Sequence, residues 1–160
     1  MEYIIKTILI GIGGTIAMDI WALLLKHLFN IQSLNYAFVG RWIGHFSNGK
    51  FMHNSIAKAP PIAGEKAIGW CAHYLIGITF SILLVIIWGY EWIDTPRIIP
   101  ALIIGIATTI APFLIMQPGM GLGIAAAKLP NANTARFRSL LTHTIYGIGL
   151  YLTALILTIR

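Results

Sequence analysis

The stretch from Tyr3 to Leu28 reads YIIKTILIGIGGTIAMDIWALLLKHL. At about 1.5 Å per helical residue it exceeds the roughly 30 Å hydrocarbon core of a bilayer. Three more runs share its length and character: Ala67 to Trp88, Ile98 to about Gln117, and Phe137 to Ile159. The composition agrees, because 58% apolar and only 10% charged residues leave too little polar surface to cover a soluble globule of 160 residues. The expected fold is therefore all-α: a polytopic four-transmembrane-helix bundle, one domain over residues 1–160, with spans at about 3–28, 67–88, 98–117 and 137–159. The first run lacks a basic leader, is longer than a signal-peptide core and carries Asp19 where a cleavage site needs small neutral residues, so it reads as a retained span. Cys71 stands alone and implies neither a disulfide nor a CxxC metal site.

A net charge of +6 in such a chain speaks to topology rather than to nucleic acid, which is not an expected partner. Arg41, Lys50 and Lys58, flanked by Lys26 and Lys66, lie between spans one and two; Lys128, Arg136 and Arg138 lie between spans three and four. The opposite face has Lys6, Arg97 and Arg160 beside Glu2, Glu91 and Asp94. The positive-inside bias places loops 29–66 and 118–136 in the cytoplasm and both termini outside, with Trp88 and Trp92 at an outer aromatic belt. The lipid bilayer is the first partner.

Two short similarities recur in order. Gly11-Ile12-Gly13-Gly14-Thr15-Ile16-Ala17 resembles Gly105-Ile106-Ala107-Thr108-Thr109-Ile110-Ala111, and His73-x-x-x-Gly77-Ile78 matches His143-x-x-x-Gly147-Ile148. Either the bundle is two like-oriented helical hairpins, or a chain rich in Gly, Ile, Ala and Thr repeats itself by chance.

Three spans carry an ionisable residue, which marks a functional suspect in a membrane. Residues four apart share a helix face, so Gly11, Thr15 and Asp19 align, as do Gly69, His73 and Gly77, and Ser139, His143 and Gly147. Gly105, Thr109, Phe113 and Gln117 align on the third span. Small residues on such seams admit close helix contact, which points the ionisable groups inward. Asp19, His73 and His143 each lie seven residues from a basic residue, Lys26, Lys66 and Arg136 respectively, or roughly 10 Å in depth. A single buried cluster of Asp19, His73, His143 and Gln117 is expected near the cytoplasmic side.

Such a cluster admits three roles. Two imidazoles and one carboxylate, Asp19, His73 and His143, form a divalent metal set suited to zinc or iron. Imidazole beside carboxylate also forms a proton or polar-ligand relay. Interhelical hydrogen bonding that only fixes the bundle is the third.

The connection from Asn30 to Glu65 is long for one without structure, and is expected to fold. Leu34, Phe38 and Trp42 recur every four residues, predicting an amphipathic helix from Ser33, as N-cap, to about Gly44, at the membrane surface. Asn48-Gly49 signals a two-residue hairpin that sets His45 across from Met52, with His53 near. A His and Met pair suits copper, but ordinary surface histidines are the better reading. Arg41 is positioned to pair with Glu65 and tie this loop down. In the third span Pro112 frees a backbone carbonyl and Pro118-Gly119 ends the helix, either exposing backbone to a substrate or turning the chain along the interface.

Met18-Asp19-x-Trp21, Ser33-Leu34-Asn35-Tyr36, Gly40-Arg41-Trp42, Gly64-Glu65, Gly69-Trp70-x-x-His73-Tyr74, Gln117-Pro118-Gly119-Met120-Gly121 and Ser139-Leu140-x-x-His143 together resemble the signatures of a family of small bacterial inner-membrane proteins, a domain of unknown function. The resemblance covers nearly the whole chain. It implies a bacterial four-helix inner-membrane protein and no established activity.

The reading that demands least is a small ligand- or metal-binding or accessory membrane protein, alone, as a homodimer or in a larger membrane complex. A small proton-coupled transporter acting as an oligomer is one alternative. A membrane-embedded metal-dependent enzyme is the other, although no GxSxG or HExxH motif is present.

Overall fold

Lipid offers no hydrogen bonds to the backbone, so an apolar run that crosses it must satisfy its own N–H and C=O groups as a helix. The structure, a computed structural model, describes residues 1–159, and every regular element among them is helical. The α-helices are α1 (Glu2–Phe29), α2 (Tyr36–Gly44), α3 (Glu65–Trp88), α4 (Glu91–Asp94), α5 (Ile98–Ala107), α6 (Gln117–Gly119) and α7 (Ala132–Thr158). Among the described residues four stretches are long and apolar enough to cross a membrane: Glu2–Phe29, Glu65–Trp88, Ile98–Gly119 and Ala132–Thr158. These are the four expected spans; the largest difference is the start of the last, at Ala132 rather than Phe137. The chain divides into two compact units, the first comprising Met1–Ser33, Tyr74–Thr108 and Leu140–Arg160, the second Leu34–His73 and Thr109–Ser139.

In the first unit helices cross where side chains are smallest. A Cβ added to Gly11 of α1 would lie 2.6 Å from Ile78 Cα of α3, one added to Gly149 of α7 would lie 2.9 Å from Gly14 Cα of α1, and one on Gly105 of α5 would lie 2.8 Å from Gly147 Cα of α7. Backbones this close leave carbonyls within reach of neighbouring hydroxyls. Ser81 Oγ donates to Thr7 O at 2.8 Å, and the buried Tyr146 hydroxyl donates to Gly77 O at 2.6 Å. Ile10, Leu84, Trp92, Ile93, Ile104 and Leu150 form the core. Outward-facing residues are just as apolar, with Ile86 and Ile156 74% and 66% exposed, a surface that only lipid or another apolar partner tolerates.

Trp92 differs from the expected belt position. It is almost wholly buried, with Nε1 donating to Arg97 O at 3.0 Å, because α4 turns the chain back and carries the indole into the core. Nearby, Tyr3 stacks on Tyr90 at 4.9 Å and donates to Asp94 Oδ2 at 2.8 Å. The start of α1 and the connection before α5 therefore share one end of this unit.

The second unit is built from the other two connections and the helix ends that flank them. Here α2 starts later than expected: Asn35, not Ser33, is the N-cap, its side chain accepting from Ala37 N–H at 3.0 Å. The hairpin expected at Asn48-Gly49 does not form. His45–Asn48 is a 3₁₀ turn closed by Gly49 at φ 69°, the same left-handed conformation that a hairpin turn would have used. Two backbone bonds join the connections, His53 N–H to Gly119 O at 2.8 Å and Ile56 N–H to Met120 O at 3.0 Å. Val39, Ile56 and Met120 are buried beneath them. Gly40 of α2 and Gly69 of α3 make the closest crossing: a Cβ on Gly40 would strike Glu65 O, and one on Gly69 would strike Tyr36 O.

The third span is interrupted as Pro112 predicts, but over a longer stretch. Lacking an N–H, Pro112 cannot bond Thr108 O. Regular helix stops at Ala107, a turn covers Thr108 and Thr109, and Pro112–Met116 is a π-helical segment in which Gln117 N–H reaches Pro112 O. The span then continues through α6 and ends at Gly119.

Candidate functional site

A carboxylate or imidazole among apolar helices needs a polar partner, and each of the three in the spans has a hydroxyl. In the first unit, Tyr74 donates to Asp19 Oδ2 at 2.8 Å, and Thr108 Oγ1 lies 2.9 Å from His143 Nδ1 and 2.6 Å from Gly105 O. Thr108 has one proton to give; when it goes to Gly105 O, His143 must carry its own on Nδ1. In the second unit, Tyr36 Oη lies 3.0 Å from His73 Nε2, and the Tyr36 ring packs 4.4 Å from His73 and 4.5 Å from Trp70. Asp19, His73 and His143 are each half-buried. Gln117, in the second unit, is buried, and its Oε1 has no hydrogen-bond partner among the described residues. Among the described residues no group of three or more His, Cys, Asp or Glu side chains is placed to hold a metal ion. Sequence reasoning missed Tyr36, Tyr74 and Thr108 because it sought groups that carry charge at or near neutral pH; the adjacency of Tyr74 to His73 was the available signal.

Arg41 and Glu65 do meet. Arg41 Nε donates to Glu65 Oε2 at 2.7 Å and Nη2 to Oε1 at 2.8 Å, while Nη1 reaches Ile56 O at 3.3 Å and Ala59 O at 3.1 Å. Glu65 Oε2 also accepts from Ile62 N–H at 3.0 Å. One planar guanidinium thus ties α2, the 56–59 turn and the start of α3 together, a geometry that a lysine cannot copy. The carboxylate beside it holds the Arg41 guanidinium above its ordinary range.

His45 and His53 are near each other, as the sequence suggests, but they are not the surface histidines expected: their ring centroids pack 4.9 Å apart and both are buried. His45 Nε2 lies 3.0 Å from Pro60 O, and since a carbonyl can only accept, that nitrogen carries a proton. His53 Nε2 is buried with no partner among the described residues. Burial, with smaller contributions from Lys50 and His45, pushes the His53 imidazole below its ordinary range.

His53 also forms part of the wall of a cleft of about 240 Å³, completed by Lys50, Asn54, Ser55, Lys58, Ala59 and Pro60. The surrounding charge is one-sided. The second unit contains seven basic residues and the single acid Glu65, already paired with Arg41, whereas the rest of the chain carries four of each sign. All of the net +6 therefore belongs to this unit.

Four long apolar helices with apolar outer faces define a multi-pass membrane protein in contact with the bilayer. The chain belongs to the family described as Protein of unknown function (DUF2938), whose model matches residues 8–157. No curated protein and no solved structure matches it.

Proposed function

We propose that this is a small bacterial inner-membrane binding or accessory protein in which the apolar bundle is the anchor and the second unit is the recognition module. One observation carries the reading: the Arg41 hub, with its two bonds to Glu65 and its bonds to the Ile56 and Ala59 carbonyls, fixes connections that an anchor alone could leave loose. A rigid polar surface binds with less ordering cost than a mobile one. By the charge bias between connections, this module faces the cytoplasm. Native mass spectrometry of the mildly extracted full-length protein tests the reading. A ligand or partner subunit retained by the wild type and shed by Arg41→Ala is the expected result; a wild type that retains nothing beyond bulk lipid overturns it.

A proton-coupled carrier is the second reading, favoured by the interruption of the third span beside the Thr108–His143 contact. Broken helices near ionisable residues are how many carriers expose backbone to their cargo. It predicts that Asp19→Asn and His143→Ala abolish proton-linked flux in proteoliposomes without unfolding the protein. Flux unchanged by both substitutions rejects it.

A further inference from the structure

The cleft of the second unit has features that the binding reading leaves unused; a ligand chemistry inferred from them rests on that reading and deepens it. Lys50 and Lys58 stand on its wall and both are exposed, with no acceptor or carboxylate bonded to either among the described residues. No Asp or Glu occurs between Asn30 and Gly64, or between Gly119 and Arg138, so no nearby acid in these segments competes for the two ammonium groups. Ser55 and Asn54 supply a hydroxyl and an amide side chain to the same wall. Among the described residues, the backbone N–H groups of Asn54 and Ser55 have no protein acceptor. Beside them His53, more than nine-tenths buried, has an unpartnered Nε2.

Two ammonium groups, a hydroxyl and an amide thus line a cleft whose backbone is held in place. Arg41 ties down the Ile56 and Ala59 carbonyls, and Gly119 O and Met120 O accept from His53 and Ile56 N–H. At about 240 Å³, the space falls below the roughly 300–1,000 Å³ of pockets for drug-sized ligands, and suits a compact anion. We propose that this cleft binds a phosphate group, with Lys50 and Lys58 as its charge partners and Ser55 and Asn54 as neutral donors. The group is carried either by an anionic lipid headgroup or by a soluble phosphate. Lysine acts here as a point charge, which accepts a phosphate in more than one orientation.

The test uses full-length protein in detergent, with thermal stabilisation by inorganic phosphate and by short-chain phosphatidylglycerol as the readouts of binding. Stabilisation by phosphatidylglycerol alone assigns the lipid source; stabilisation by inorganic phosphate assigns the soluble one. Removing both charge partners in Lys50→Gln/Lys58→Gln should weaken the effective probe by about tenfold or more. Lys50→Arg/Lys58→Arg should retain binding and shows that the positions tolerate change. Lys128→Gln removes a charge of the same unit away from the cleft lining and should stay within about twofold of wild type. No stabilisation by either probe, or an equal loss in Lys128→Gln, overturns the cleft assignment. A wild type that retains a ligand indifferent to Lys50 and Lys58 leaves the recognition module standing and removes only the phosphate site.

Discussion

Arg41 and Glu65, one on α2 and one opening α3, meet through two parallel hydrogen bonds of 2.7 and 2.8 Å. The same guanidinium holds the carbonyls of Ile56 and Ala59. Arg41→Ala should release the 56–62 segment and raise its cleavage rate in limited proteolysis by roughly tenfold. Arg41→Lys, which keeps the charge and loses the fork, should fall between the two. Equal cleavage of all three proteins would show that the hub is dispensable.

The crossing of α2 over α3 rests on hydrogen atoms. A methyl on Gly40 meets the Glu65 carbonyl and one on Gly69 meets the Tyr36 carbonyl, both backbone atoms that cannot rotate away. Gly40→Ala or Gly69→Ala should cost about 1–3 kcal/mol, read as faster amide exchange across Tyr36–Gly44. Gly49→Ala is the informative comparison: it meets no atom within 4 Å, and its φ of 69° costs only local strain, about 1 kcal/mol.

The pH response of the second unit follows from His53. Its imidazole titrates below the ordinary 6.5 because burial disfavours the charged form, so the unfolded segment takes up a proton before the folded one does. Stability is then flat above about pH 6.5 and falls as pH drops below it. Amide exchange of residues 50–60 should quicken between pH 7.5 and 5.5 in the wild type and much less in His53→Gln. An exchange profile that quickens as pH rises, after correction for intrinsic rates, contradicts the sign.

Much of this architecture is legible in the chain, and the misreadings have identifiable physical causes. Span existence follows from run length alone, and the Arg41–Glu65 pair from charge on a loop that has to fold. Asn48-Gly49 misled because a left-handed Gly serves a 3₁₀ C-cap as readily as a hairpin. Ser33 and Asn35 are both good caps, and only the side-chain bond to Ala37 decides for Asn35. Counting residues gave Asp19, His73 and His143 a common depth, but depth carries no information about partners. The hydroxyls of Tyr74, Tyr36 and Thr108 therefore went unnoticed, as did the partner of Gly69: its seam in the second span is legible, but Gly40 lies on a short helix outside the spans.

Those hydroxyl partners can be weighed. Tyr74→Phe removes the donor to Asp19 and keeps the ring; Thr108→Val keeps the shape and removes the oxygen facing His143 Nδ1. Interhelical hydrogen bonds of this kind are worth about 0.6–2 kcal/mol, and each substitution should lower stability by that amount in mixed-micelle denaturation. A loss well below it would mean that Asp19 or His143 is held by something other than its hydroxyl.

Topology gives the last prediction. If each of the four apolar helices crosses once, the connections 30–64 and 120–131 must share one side of the membrane and 89–97 the other. The bonds His53 N–H to Gly119 O and Ile56 N–H to Met120 O and the Tyr3–Asp94 bond are what that parity requires. Basic residues concentrate in the first pair of connections, so the positive-inside bias predicts the cytoplasmic side for them. In a Cys71→Ser background, single cysteines at the exposed Asn48 and Asn131 should react with an impermeant maleimide only after the cells are opened, and one at Glu91 should react in intact cells. Labelling of all three in intact cells, or of Asn48→Cys without Asn131→Cys, would break the four-span parity; a clean inversion would keep the parity and reverse only the orientation.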